Sequence, residues 1–193
     1  MSDIVEELIN DLKGEYFRED KKNVITPGGS FISQNSYGII NKKEYSVKIY
    51  SQNNLGIRAA NTYDGSPFRI LLILPFNLNE PFQIFPKSFY KKMINSLFKT
   101  KTSVSNILLT RYNFKGSKRI FSFIEKDMFL INEIVNHEIY ISSHSKDDSF
   151  YISLRPNESV ITMEELKKLY SIIDKLGEIM IQAFQKIEEN KKD

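Results

Sequence analysis

The sequence predicts an α+β fold in which an antiparallel β-sheet, as one meander or as two packed sheets, is flanked by an N-terminal helix, two short helices and a long C-terminal helix. Three observations carry this. From Tyr37 to Phe85 apolar and polar residues alternate between recurrent turn signals. The C-terminal segment instead repeats apolar residues at three-and-four spacing. The chain has 193 residues, a length that suits one domain with a buried core. Its expected parts are an N-terminal helix over 1–13, a sheet-rich body over 37–154 and a C-terminal helix over 162–190.

The first helix is expected from Asp3, which has capping-box spacing to Glu6. Ile4, Val5, Leu8, Ile9 and Leu12 form one apolar stripe before Gly14 stops it. Residues 15–35 show little periodicity and hold the turn Thr26-Pro27-Gly28-Gly29-Ser30, so they read as an irregular connection with one short strand. A glycine-rich turn can offer its amides to phosphate, but no helix or motif lysine follows this one, and a plain turn is the better reading. Strands are expected over 37–41, 44–51, 56–62, 68–75 and 81–85. The fourth is apolar on both faces and therefore belongs in the middle of the sheet. Ser88 caps a short helix reaching Lys99, with Phe89, Met93, Ile94 and Phe98 on its buried stripe.

Two more strands are expected over 106–113 and 118–125, joined by Phe114-Lys115-Gly116-Ser117. Asp127 opens a helix to Val135, and strands over 137–143 and 149–154 make a hairpin around Ser145-Lys146-Asp147-Asp148. At the C-terminus Thr162 and Glu165 form a capping box, after which Leu166, Leu169, Ile173, Leu176, Met180, Ala183 and Ile187 recur on one stripe. A helix of roughly 28 residues is about 40 Å long, whereas a strand of ordinary length spans only ~17–20 Å. The helix is expected to lie across the sheet with a frayed tail. A homo- or hetero-oligomeric helix contact through 166–187 is the alternative.

Chemistry is narrowed mostly by what is missing. The chain has no Cys, which removes disulfides, thiolate metal sites and thiol nucleophiles. Its two histidines, His137 and His144, are an odd number of residues apart in a predicted strand, so they point to opposite faces and do not share a metal. The phosphate-loop, dinucleotide, zincin and nucleophile-elbow patterns are all absent. No cofactor, metal or catalytic residue is therefore expected. The carboxylate pairs at Glu125/Asp127 and Glu164/Glu165 sit at helix starts, where the dipole favours negative charge for structural reasons.

The N-terminus is acidic and amphipathic, unlike a signal peptide. The longest apolar run, Ile70 to Phe76, is far short of the ~20 residues that cross a bilayer. A cytoplasmic location without membrane contact is expected. Six Arg stand against 21 Lys and three Ala against 26 Ile, the skew of an AT-rich bacterial or phage genome.

One feature points toward a partner. The formal net charge is only +3, yet between Pro81 and Ile124 there are nine basic residues (Lys87, Lys91, Lys92, Lys99, Lys101, Arg111, Lys115, Lys118 and Arg119) and no acidic one. Tyr112 and Phe114 lie among them. Lys87, Lys91, Lys92, Arg111, Tyr112, Phe114, Lys115, Lys118 and Arg119 are accordingly the candidate partner-binding residues. The expected function is a non-catalytic protein-interaction module, of adaptor, chaperone or immunity/inhibitor type, that binds an acidic protein partner through this segment. The first alternative is a nucleic-acid binder without sequence preference, because a lysine-rich, arginine-poor patch lacks the bidentate groups that read bases. An enzyme of unrecognised type is the second.

Overall fold

Buried and accessible residues alternate along the strands, which places one layer of helices on one side of one sheet. The computed structural model describes residues 4–26, 29–55, 68–87, 104–156 and 162–189. Among the described residues the elements are α1 (Ile4–Asp11), β1 (Glu15–Arg18), β2 (Lys22–Thr26), β3 (Gly29–Asn41), β4 (Ser46–Leu55), β5 (Phe68–Leu74), β6 (Phe82–Pro86), α2 (Val104–Arg111), β7 (Tyr112–Gly116), α3 (Lys118–Ile124), α4 (Met128–Asn136), β8 (Ile139–Lys146), β9 (Ser149–Pro156) and α5 (Met163–Glu189). The class is α+β, as the patterning predicts.

All nine strands join one antiparallel sheet in the order β1-β3-β4-β5-β9-β8-β6-β7, with β2 paired to the other half of β3. There is no second packed sheet among the described residues. The meander holds for β3-β4-β5 and then breaks, because the β8–β9 hairpin is inserted between β5 and β6. The link from β5 to β6 carries Pro75, Pro81 and a left-handed Asn79 at φ 52°. Leu74 to Ile70 instead pair with Phe150 to Leu154 of β9. This makes β5 the inner strand that its two apolar faces require.

Three expectations need correction. Residues 15–35 hold β1, β2 and the first part of β3; β1 and β2 are short strands at the sheet edge, and the segment is rich in polar residues, so it lacks the period-two apolar signal. The segment 118–125 is helical. Ser117 caps it, its side chain accepting from the amides of Arg119 and Ile120, and Ile120 and Ile124 are buried one turn apart. The segment 106–113 is split, α2 running to Arg111 and β7 beginning at Tyr112. The strand expected over 56–62 and the helix expected over 88–99 lie outside the described residues, as do Asp3, Pro27 and Gly28.

The helices meet the sheet on the face formed by Val47, Ile49, Ile70, Leu72, Phe150 and Ile152. The α5 stripe from Leu166 to Ile187 is buried in that same core. Each such Leu or Ile contributes roughly 1.5–3 kcal/mol of transfer free energy. Both halves of its capping box form, Glu165 donating its amide to Thr162 Oγ1 at 3.2 Å and Thr162 donating its own to Glu165 Oε2 at 3.1 Å. At the other edge α1 lies so close to β3 that a Cβ on Gly38 would sit 2.1 Å from Ile9 Cγ1. Only glycine admits that approach.

Candidate functional site on the open face of the sheet

The strand residues that alternate with the core project from the opposite face, and among the described residues no helix packs there. Register makes rows of them. Phe17, Tyr37, Tyr50 and Arg69 are successive partners across β1, β3, β4 and β5. Beside them runs Ile39, Lys48, Leu71, Ser153, Ser142, Gln83 and Lys115, a row that crosses from β3 to β7. A third row joins Ile73, Tyr151 and His144.

The first row is a continuous aromatic strip with cations on its rings. Phe17 and Tyr37 stack at 5.0 Å between centroids, and Tyr37 meets Tyr50 at 6.1 Å. Lys48 Nζ lies 4.1 Å from the Tyr37 centroid and 5.0 Å from that of Tyr50, while Arg69 Cζ lies 5.1 Å from Tyr50. Such cation–ring contacts are worth about 0.5–1 kcal/mol at accessible sites, and they hold the lysine and guanidinium flat against the sheet. Farther along, His144 stacks on Tyr151 at 5.1 Å and Lys115 lies over Phe85 at 5.4 Å. Phe17 is 39% exposed and Tyr140 44%, while Tyr37 and Tyr50 are partly buried.

Charge follows the same division. The described strand positions of this face carry six basic side chains (Lys22, Lys48, Arg69, Lys115, Lys146 and Arg155) against one carboxylate, Glu15. Asp147 and Asp148 lie beyond the strand ends in the hairpin turn. In the five helices the balance reverses, with ten Asp and Glu against seven Lys and Arg. Among the described residues, then, the strand positions of this face carry an excess of basic groups and the helices a small excess of acidic ones.

The basic segment read from sequence does not form one surface. Tyr112 is 2% exposed, its hydroxyl donating to the His137 carbonyl and accepting from the Ile139 amide at 3.3 Å. Phe114 packs into the core against Phe82 and Phe121. Lys87 donates to the Leu109 carbonyl, and Arg111 reaches that of Val135 at 3.4 Å. Lys118 and Arg119 are exposed on α3, in the helical layer. Of the candidates, Lys115 alone is placed on the open face among the described residues; Lys91 and Lys92 lie outside them. What sequence reasoning missed is Phe17, Tyr37, Lys48, Tyr50, Arg69 and Arg155. Each stands at an outward position of its own strand, but only the pairing of distant strands brings them together.

A second polar cluster lies on the helical side. The Tyr45 hydroxyl donates to Asp174 Oδ1 at 2.6 Å and Lys42 Nζ to Oδ2 at 2.7 Å. Burial, then the hydrogen bond to Asp174, pushes the Tyr45 hydroxyl well above its ordinary range. Burial alone would lower Lys42, but the bond to Asp174 and the neighbouring charges outweigh it and raise it. A tyrosine held neutral and a lysine held protonated make a structural tie and supply neither a base nor a nucleophile.

Among the described residues no three His, Asp or Glu converge as metal ligands. His137 caps α4, 3.5 Å from Glu133, while His144 is on the open face. No described helix is long and apolar enough to cross a membrane. No protein family, curated protein or solved structure matches the chain.

Proposed function

We propose that the protein is a non-catalytic binding module, of adaptor, chaperone or inhibitor type, that engages an acidic partner through the open face of its sheet. The observation that carries the reading is the six-to-one excess of basic over acidic side chains on the described strands of that face, set against the net acidic described helices. A field divided in this way steers a negatively charged partner toward one side of the molecule. It moves the contact expected at 81–124 to residues drawn from β2, β4, β5, β7, β8 and β9, with Lys115 common to both.

Two triple charge reversals of equal size test it: Lys48→Glu with Arg69→Glu and Arg155→Glu on the sheet face, and Arg111→Glu with Lys118→Glu and Arg119→Glu on the helical side. Affinity for heparin, a generic polyanion, is measured for both. The sheet-face set is expected to weaken binding at least about tenfold, and the helical set less than about threefold. An equal or larger effect from the helical set would return the contact to the linear basic segment and refute the proposal.

A further inference from the structure

We infer that the acidic partner is single-stranded nucleic acid, laid across the strands with its bases on the Phe17, Tyr37 and Tyr50 rings and its phosphates on Lys48, Arg69 and Arg155. This rests on the open face being the binding surface, and names what it binds. An acidic polypeptide needs only cations opposite its carboxylates. The open face supplies more than that, namely three aromatic rings in one unbroken cross-strand row, interleaved with a lysine and an arginine at 4.1–5.1 Å from ring centroids. Lys48 and Arg69 now lie on the Tyr37 and Tyr50 rings; a base that stacks there takes their place while they swing to its phosphates, and every base has a π-face, so such a strip binds without regard to sequence.

Shape argues the same way. Beyond the strip Leu71 and Ser153 are buried, so the accessible part of the face is the aromatic strip with its flanking cations. A duplex keeps its bases stacked inside and offers a flat sheet only phosphates. A single strand can splay its bases onto the rings while its backbone follows the cations along the rim. The flanking Arg155 and Tyr140, direct partners on β9 and β8, continue the alternation of cation and ring past β5.

Anisotropy with labelled 12-nucleotide oligo(dT) and oligo(U), a 12-base-pair duplex and poly-glutamate as competitor tests this directly. The intact protein is expected to bind the single strands more tightly than the duplex, and poly-glutamate is expected to compete poorly. Three phosphate contacts give a salt slope of about −2. Tyr37→Thr and Tyr50→Thr keep strand propensity and are expected to weaken binding roughly 5- to 100-fold each with the slope unchanged. Tyr50→Phe keeps the ring and should bind nearly as the parent does. Tyr50→Leu, a second version that preserves apolar bulk, should fail as Thr does. Lys48→Gln and Arg69→Gln should each make the slope shallower by about 0.7.

If the Thr and Leu variants bind like the parent, or if the duplex and poly-glutamate compete as well as a single strand does, the inference is overturned. Should the Gln variants still weaken binding in that case, the open face stands as the surface and its partner is an acidic protein. If the parent binds no polyanion at all, or no open-face variant changes binding, both readings fall together.

Discussion

The Tyr45 hydroxyl donates to the Asp174 carboxylate at 2.6 Å and so ties the turn before β4 to the middle of α5. Lys42 shares that carboxylate, and its amide donates to the Tyr45 carbonyl at 2.8 Å, closing the turn. Asp174→Ala would leave the Tyr45 hydroxyl only its longer contact to the backbone carbonyl of residue 174, at 3.3 Å, and the Lys42 ammonium without its carboxylate. A loss of about 1–3 kcal/mol is expected in urea denaturation. Asp174→Asn, which keeps an acceptor but no charge, should lose less. A loss below about 0.5 kcal/mol in the alanine variant would show that water replaces the tie at no cost.

Gly177 lies beneath the same ring, and a Cβ there would stand 3.0–3.2 Å from three of its carbons. Alanine in mid-helix gains up to about 1 kcal/mol over glycine, so the sign of Gly177→Ala depends on whether the ring can retreat. While Asp174 holds the hydroxyl it cannot do so freely. The substitution is expected to destabilise the parent by about 1 kcal/mol and to become neutral or favourable in the Asp174→Ala background. A double-mutant cycle reads the difference, and a coupling under about 0.5 kcal/mol would mean that the two positions are independent.

Alkaline stability follows from the tyrosines. Burial pushes Tyr112 up to about 12, against a smaller opposing effect of the Ile139 amide. Tyr45 is raised in the same direction. The folded chain therefore holds these protons more tightly than the unfolded chain, whose tyrosines titrate near 10. Their contribution is present in full below about pH 10 and is lost as pH rises toward 12, at up to ~1.4 kcal/mol per unit for each proton. The denaturation midpoint should be flat from pH 7 to 9 and fall above 10. Tyr112→Phe should reduce that fall while costing about 1–3 kcal/mol at neutral pH, because the His137 carbonyl and the Ile139 amide lose their partner. An unchanged alkaline slope in the variant would place the titration elsewhere.

Local signals were legible, and pairing was not. The capping box Thr162/Glu165 and the stripe that follows it are contained within one element, and α5 runs from Met163 to Glu189 as the spacing predicts. Asp127 likewise caps α4, donation coming from the Leu130 amide at 2.9 Å. The run Ile120-Phe121-Ser122-Phe123-Ile124 misled because β-branched and aromatic residues favour strands. What decides it is tertiary, the burial of Ile120 and Ile124 on one helical side behind the Ser117 cap. The candidate site was hidden for a related reason. Lys48, Arg69 and Arg155 stand on β4, β5 and β9, and nothing local to any of them announces that β9 pairs with β5. Counting charge along the chain therefore found a cluster at 81–124, whereas the sheet sorts charge by face.

Ser143 completes the sheet where its ladder is thinnest. β6 and β8 share only two register pairs, Gln83 with Ser142 and Ile84 with Ile141. Just beyond them the buried Ser143 hydroxyl accepts from the Phe82 amide at 2.7 Å and donates to the Phe82 carbonyl at 3.2 Å. One side chain thus satisfies both backbone groups of a residue that is itself fully buried. Ser143→Ala strands both groups away from water, and an unsatisfied buried polar group costs about 1–3 kcal/mol. Valine has the better strand propensity but cannot restore either bond, so Ser143→Val should be no more stable than alanine, whereas Ser143→Thr, which keeps the hydroxyl, should recover part of the loss. Hydrogen exchange separates this from a simple packing defect. Protection at the Phe82 amide should fall in the alanine variant by more than protection at Ile49, which lies in the β3–β4 and β4–β5 ladders away from Ser143. Equal losses at the two amides would mean that the serine stabilises the whole sheet and not this junction.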